Sequence, residues 1–291
     1  MDGSKEFAVQ DRFAPLKALQ RRHDFFVGLD SDGCVFDGME IKHKECFCPA
    51  WIKHFGLQPI SRRARSAWER VNLYSATRGT NRFKAIVLAL DQLAAQGAAV
   101  PPMEGLRRWV QTETQLGTPA LMRAVSETHD PDLAAVLAWN TEVNQRIEEM
   151  CVGVPPFEGA REAIALAAER ADVMVVSQAS ADALEREWAE HGLIRHVRLL
   201  AGQEMGSKAE HLQYATAGKY DPGKVLMVGD ALGDRDAALS NGVRFFPIVP
   251  GSEEQSWRRF SAEGLPRLLE GRFDANYQAA LLGELAAVLK D

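Results

Sequence analysis

In the stretch FFVGLDSDGCVFD, residues 25–37, an apolar run ends in Asp30 and Asp32, with Asp37 close behind. Aspartate and glycine are poor strand formers, so a strand here must stop at Asp30. Clustered like charges repel, and they persist where water or a cation offsets them. Alone, such a pair of aspartates is more often a solvated turn than a metal site. Further along, Ser177 and Gln178 follow DVMVV, Lys208 follows GQEMGS, and Asp230 and Asp234 follow the run KVLMVG. Together these stretches offer several carboxylates, a hydroxyl and an amine. One hard divalent cation would offset the carboxylates, and magnesium leaves room in its shell for waters and a substrate phosphate.

These side chains act together only if elements remote in sequence deliver them to one place. Apolar runs predict strands over 25–30, 172–177, 196–202, 224–230 and 243–249. Helical spacing falls between them, over 159–171, 180–192, 207–218 and 234–242, and again over 252–266 and 274–290. Strands that are apolar throughout and alternate with helices imply a parallel sheet covered on both faces. In such sheets ligands collect at the carboxyl ends of the strands, where the residues above fall. Residues 38–154 have little strand character. They show helical spacing over 49–55, 61–73, 82–96, 104–115, 118–127 and 131–150. A crossover of this length is too long to be structureless. The expected architecture is therefore α/β: a doubly wound parallel, Rossmann-like core from residues 1–37 and 155–291, with an inserted all-helical cap over 38–154.

LDSDGCVFD, VVSQAS, Lys208 and VGDALGD resemble, in order, the four motifs of the haloacid dehalogenase-like hydrolase superfamily. The resemblance covers roughly residues 22–37 and 155–250, and that family places a helical cap after its first motif. It implies that Asp30 is the nucleophile and Asp32 the general acid and base. It implies that Ser177, with Gln178, binds the phosphoryl group and that Lys208 neutralises charge there. Mg2+ would be held by Asp30, the backbone carbonyl of Asp32 and Asp230, while Asp234 would hold a metal water or Lys208. The implied activity is magnesium-dependent hydrolysis of a small phosphorylated metabolite through an aspartyl-phosphate. A carboxylate at position 32 favours an alkoxide leaving group over dehalogenation or phosphonate cleavage. A sugar phosphomutase is the second reading. A non-catalytic ligand-binding protein of this fold is the third, and it would usually have lost motif residues that are intact here.

Each residue also has a plainer reading. Ser177 could be an ordinary helix N-terminal serine, and Lys208 a surface lysine. Asp236 competes with Asp234, although the four-residue offset from Asp230 suits the motif better. Asp37 reads as structural, capping the start of the cap linker. GQEMGSK lacks the spacing of a nucleotide-binding phosphate loop. Gly229 is expected to permit close approach at a strand end, and Gly33 a bend that few side chains allow.

Composition narrows the partners. The net charge of −6 disfavours a general nucleic-acid binder. Residues 41–84 nevertheless hold ten Lys or Arg against two acids. Such a segment can serve an anionic ligand or form a solvated face. Within it, Arg78-Gly79-Thr80-Asn81-Arg82 interrupts the helical pattern just before a helix, a natural anion site. Arg78, Asn81 and Arg82 are thus candidate substrate contacts; the alternative is a helix cap with solvated arginines. The cap tryptophans read as core, and His43 and His54 have no evident partner. The four cysteines fit no zinc spacing and read as reduced thiols. The amino terminus lacks an apolar leader, and no run approaches the roughly 20 apolar residues needed to span a bilayer. The expectation is a cytoplasmic protein whose partner is a small phosphorylated metabolite, with no nucleic acid and no membrane. A homo-oligomer is left open.

Overall fold

A computed structural model describes residues 11–290. The leaderless reading of the amino terminus rests partly on residues 1–10, which lie outside the described residues. The chain divides into two compact units. Phe36–Pro155, Ala231–Gly233 and the segment from Leu282 form one, and the remainder forms the other.

The first unit is built on a five-stranded parallel sheet. Its strands are β1 (Phe25–Leu29), β2 (Ala171–Val176), β3 (Leu200–Ala201), β4 (Val225–Gly229) and β5 (Arg244–Pro247). Their spatial order is β3-β2-β1-β4-β5. The chain winds outward from β1 to β3, then returns to the other side of β1 for β4 and β5. The topological switch point therefore lies between β1 and β4, where a crevice opens at the strand ends. β2 and β4 are buried along their whole length, as a sheet covered by helices on both faces requires. The registers place Leu29 opposite Val175 on one side and Val228 on the other. Asp30 thus leaves the sheet level with the ends of both neighbours.

The strand expected over 196–202 contracts to Leu200–Ala201. It is the sheet edge, and its leading residues serve other ends. Ile194–His196 form a 3-10 turn. Arg198 donates its backbone N–H to Val173 at 2.7 Å and ion-pairs through its guanidinium with Asp172. Asp172 is only 1% exposed. It also accepts from the backbone N–H of Arg22 (2.7 Å) and His23 (3.0 Å) and from the Tyr220 hydroxyl (2.7 Å). Burial works against its charge, but these donors hold the carboxyl below its ordinary range. The network fixes the segment that leads into β1.

The second unit is helical. Its helices include Ser61–Leu73, Arg82–Ala95, Glu104–Thr112, Thr118–Thr128 and the long Pro131–Met150. Helix begins earlier than the spacing predicts. Gly38–Ile41 runs through a π segment, Lys42–Phe47, into Cys48–His54. Pro49 explains the widened turn: it has no N–H, and its ring crowds the carbonyl four residues back. Asp37 stands at the helix start, but its side chain makes no cap hydrogen bond, which corrects the capping expectation. Trp51, Trp68 and Trp139 are fully buried, with Trp51 and Trp68 ring centroids 5.0 Å apart. They form a core with Phe47 and Phe83. His54 finds a partner that periodicity could not show: Glu142, 2.7 Å away, which also pairs with Lys53 and Arg146. All four cysteines are buried thiols. Among the described residues, no helix is long and apolar enough to cross a membrane.

Candidate active site

Each candidate residue of the first unit stands just beyond a strand or at a helix start. Asp30 follows β1, and its backbone N–H donates to the Val228 carbonyl at 2.9 Å, which ties it to β4. Ser177 follows β2, and Asp230 follows β4. Asp234 lies in the first turn of helix Leu232–Ser240, and Lys208 opens helix Lys208–Thr216. Ser207 and Glu210 close a capping box there, which fixes the orientation of Lys208.

Lys208 Nζ lies 2.8 Å from Asp30 Oδ2 and 2.6 Å from Asp234 Oδ1. Asp30, Asp230 and Asp234 each bring a carboxylate oxygen within 4.8 Å of the others, and all three are buried. Burial pushes the Asp30 carboxyl up to about 6, with Lys208 pulling it down and Asp234 pushing it further up. Burial alone would lower the Lys208 ammonium, but Asp234 and Asp30 overcome that and hold it well above its ordinary value. Lys208 is therefore a fixed cation. Three buried carboxylates against one ammonium leave excess negative charge, which a site in low dielectric sustains poorly. A set of hard oxygen donors with a charge deficit fits a divalent cation such as magnesium. The carboxylate of Asp32 stays outside this cluster and is half-buried.

Gly229 must be glycine, because a Cβ there would stand 2.4 Å from Asp234 Cγ. Gly33, at φ 77°, turns the chain after Asp32 through the left-handed region. Asp236 is exposed and pairs with its neighbour Arg235 at 2.7 Å, so Asp234 is the carboxylate delivered to the cluster. The Ser177 Oγ accepts from the Ala179 N–H at 3.2 Å and is 3% exposed. The Gln178 side chain bridges two backbone carbonyls. Its amide donates to the Gly206 carbonyl at 2.9 Å and to Ser177 at 3.2 Å. Gln178 thereby ties the loop after β2 to the loop that presents Lys208.

One positioning contact was invisible in the sequence. The Trp188 indole N–H donates to Ser31 Oγ at 3.1 Å, across 157 residues, and both are fully buried. Ser31 sits between Asp30 and Asp32. Its N–H donates to Asp30 Oδ1 at 2.8 Å, and its carbonyl accepts from Val35 at 2.9 Å. Trp188→Phe should keep the packing and lose this tether. We expect kcat to fall about fivefold to tenfold with KM little changed. Ser31→Ala should do the same, and the double variant no more. An unchanged kcat in both would show that the contact serves packing alone.

In the second unit, Arg78, Asn81 and Arg82 take distinct roles. Asn81 caps its helix by accepting from the Phe83 N–H at 3.0 Å and donates to the Leu116 carbonyl at 3.1 Å. Its side chain is thus occupied in the helix-cap role. Arg78 is 6% exposed and donates to the Leu73 carbonyl at 3.0 Å. Arg82 is half-buried among neutral partners. Neither arginine is a solvated surface group.

Fold and site together define a class: a parallel α/β protein with a buried carboxylate–lysine cluster at the sheet's switch point and a separate helical unit. No family model matches the chain. No curated protein matches it either. Similar solved structures carry the superfamily name that the four motifs resemble. One is a haloacid dehalogenase-like family hydrolase from Streptococcus pneumoniae, 11% identical, covering 80% of this chain and 90% of its own, with a TM-score of 0.43. Another is a HAD-superfamily hydrolase of subfamily IA from Geobacter sulfurreducens, 17% identical, covering 78% and 88%, with a TM-score of 0.37. A third is CbbY from Rhodobacter sphaeroides, solved in complex with phosphate, 13% identical, covering 77% and 85%, with a TM-score of 0.43.

Proposed function

We propose that this protein is a magnesium-dependent phosphohydrolase of the haloacid dehalogenase-like type, acting on a small phosphorylated metabolite. The observation that carries this reading is the buried cluster of Asp30, Asp230 and Asp234 around Lys208. In the proposed reaction an Asp30 carboxylate oxygen attacks phosphorus as the bond to the leaving oxygen breaks. Asp32 gives that oxygen its proton, so the substrate's alcohol leaves and Asp32 remains as a carboxylate. Asp32 then takes a proton from water, whose oxygen attacks phosphorus. The bond to Asp30 breaks, releasing phosphate and restoring both side chains. Ser177 donates a hydrogen bond to the phosphoryl group, and Lys208 keeps Asp30 ionised and offsets the phosphate's charge. Asp30, Asp230 and the backbone carbonyl of Asp32 are the proposed magnesium ligands, with Asp234 holding Lys208. Magnesium would supply charge neutralisation on the transferring oxygens. A sugar phosphomutase would use the same cluster and return the phosphoryl group to sugar instead of water.

The cap arginines, Arg78 and Arg82, remain proposed contacts for the non-reacting part of the substrate. The separating experiment is a screen of phosphomonoesters for inorganic phosphate release, with magnesium and after chelation. The proposed reading expects release with magnesium and a loss of at least about a hundredfold without it. Activity that survives chelation would overturn the metal-dependent mechanism. Phosphoryl transfer to sugar without phosphate release would favour the mutase.

A further inference from the structure

Lys208 opens a helix of only nine residues, Lys208–Thr216. So short a helix is marginal alone, and tertiary contacts fix its direction. The stretch ahead of β1 supplies several. Its own short helix, Ala14–Ala18, lies against Lys208–Thr216. Arg12 Nη2 donates to Glu210 Oε1 at 3.1 Å. The Phe13 ring sits 4.1 Å, centre to centre, from the Tyr214 ring. Past the helix end, Lys219 Nζ donates to the Leu16 carbonyl at 2.9 Å, and Leu16 is fully buried. The anchors thus run from the first turn of the lysine's helix to beyond its last.

Two features tie this stretch to Lys208 rather than to packing alone. The first is where its leading residues land, on both sides of the lysine. Glu210 Oε2 accepts from the Ser207 N–H at 2.7 Å and from Ser207 Oγ at 2.8 Å, within the capping box. Arg12 takes the other oxygen, so both oxygens of Glu210 are held. Burial works against the Glu210 charge, but Ser207 and Arg12 hold the carboxyl below its ordinary range. Gly206 lies against the same groups: a Cβ there would stand 2.6 Å from Glu210 Oε2 and 3.1 Å from Phe13 Cε1. The Gly206 carbonyl is the one that Gln178 grips. The second feature is where the stretch leads. It runs directly into β1, which ends at Asp30, and Asp172 anchors the join through the backbone N–H of Arg22 and His23. One continuous segment therefore clamps the helix of Lys208 and carries Asp30, and the two charges meet at 2.8 Å.

We propose that Arg12 and Phe13 are positioning residues: they hold the Ser207–Glu210 turn, and with it Lys208, in the place beside Asp30 that turnover requires. The brace itself stands on these contacts; its effect on turnover rests on the phosphohydrolase reading.

Arg12→Met and Phe13→Ala, made in the full-length protein, test it by amide hydrogen exchange and by kinetics. The Ser207 and Glu210 amides, closed by the capping box, should exchange about tenfold faster in both variants, while the amides of β4 keep their wild-type rates. With p-nitrophenyl phosphate, kcat should fall about fivefold to tenfold and KM stay within about twofold. Arg12→Lys and Phe13→Tyr, which keep the charge and the ring, should recover most of both readouts. Unchanged exchange at Ser207 and Glu210 in both variants would overturn the brace. So would β4 amides that accelerate equally, because that is a loss of global stability only. Faster local exchange with an unchanged kcat would overturn the part in turnover and make the contacts structural. If wild type hydrolyses no phosphomonoester, the phosphohydrolase reading fails and the turnover half falls with it, while exchange still decides the brace.

Discussion

Asp30→Asn is expected to lower turnover of p-nitrophenyl phosphate by roughly ten-thousandfold or more while the protein stays folded. The side chains are nearly the same shape, and an asparagine oxygen can still accept the Ser31 N–H now at 2.8 Å. What is lost is the nucleophile. The stability change should have the opposite sign to the activity change. Burial raises the Asp30 carboxyl to about 6, above its ordinary value. A raised acid contributes stability below its ordinary range and loses it as pH climbs through the folded value. Without added metal, the variant should therefore melt at or above the wild-type Tm at pH 8. That advantage should shrink toward pH 5, where wild-type Asp30 is protonated. Melting curves at the two pH values, read beside the kinetics, check both halves. A variant that retains substantial turnover would remove Asp30 from the chemistry. A variant that melts well below wild type at pH 8 would contradict the account of its burial.

Lys208→Met carries the second-largest expected effect. The ammonium touches both Asp30 and Asp234, so its loss leaves three buried carboxylates facing one another. We expect kcat to fall at least about a hundredfold. The pH dependence should move as well. Lys208 pulls the Asp30 carboxyl down, so its removal raises that carboxyl further. The nucleophile must be ionised, so the rising limb of residual activity should shift to more alkaline pH. Stability should fall too, by roughly 3–5 kcal/mol for a broken buried charge pair. The pH profile separates the electrostatic role from simple loss of folded protein, because unfolding scales the profile without shifting it. A residual activity with an unshifted limb would show that Lys208 does not set the charge state of Asp30.

Much of this site was legible because its parts lie at strand ends. An apolar run that stops in aspartate announces both the strand and the residue beyond it, and Asp30, Ser177 and Asp230 were all found that way. Register then did the rest, since Leu29 pairs with both Val175 and Val228. The choice of Asp234 over Asp236 needed coordinates, because one faces Lys208 and the other pairs with Arg235. The direction of the Gln178 side chain is likewise not legible in the sequence. Sequence adjacency to Ser177 says nothing about where an amide turns, and this one bridges to Gly206. Trp188 was out of reach for a different reason: its hydrogen bond to Ser31 spans 157 residues, and a buried tryptophan on a helix reads as core. HVRLLAG is apolar enough to suggest pairing along its length, yet only Leu200–Ala201 pairs. Arg198 instead spends its charge on Asp172. In the cap, helix boundaries from Ser61 onward follow from spacing, but the helical run before Cys48 does not, and the partners of His43, His54 and Arg82 come from other helices and leave no local pattern.

The most direct test of the central claim is to trap the phosphoryl group on the enzyme. In Asp32→Asn, p-nitrophenyl phosphate can still phosphorylate the nucleophile, because its leaving group needs no proton, while attack by water loses its base. Acid quench, borohydride reduction and peptide mass spectrometry then locate the acyl-phosphate. The account predicts a burst of one nitrophenolate per enzyme and reduction of Asp30 alone. No burst, or a modified residue other than Asp30, would contradict it.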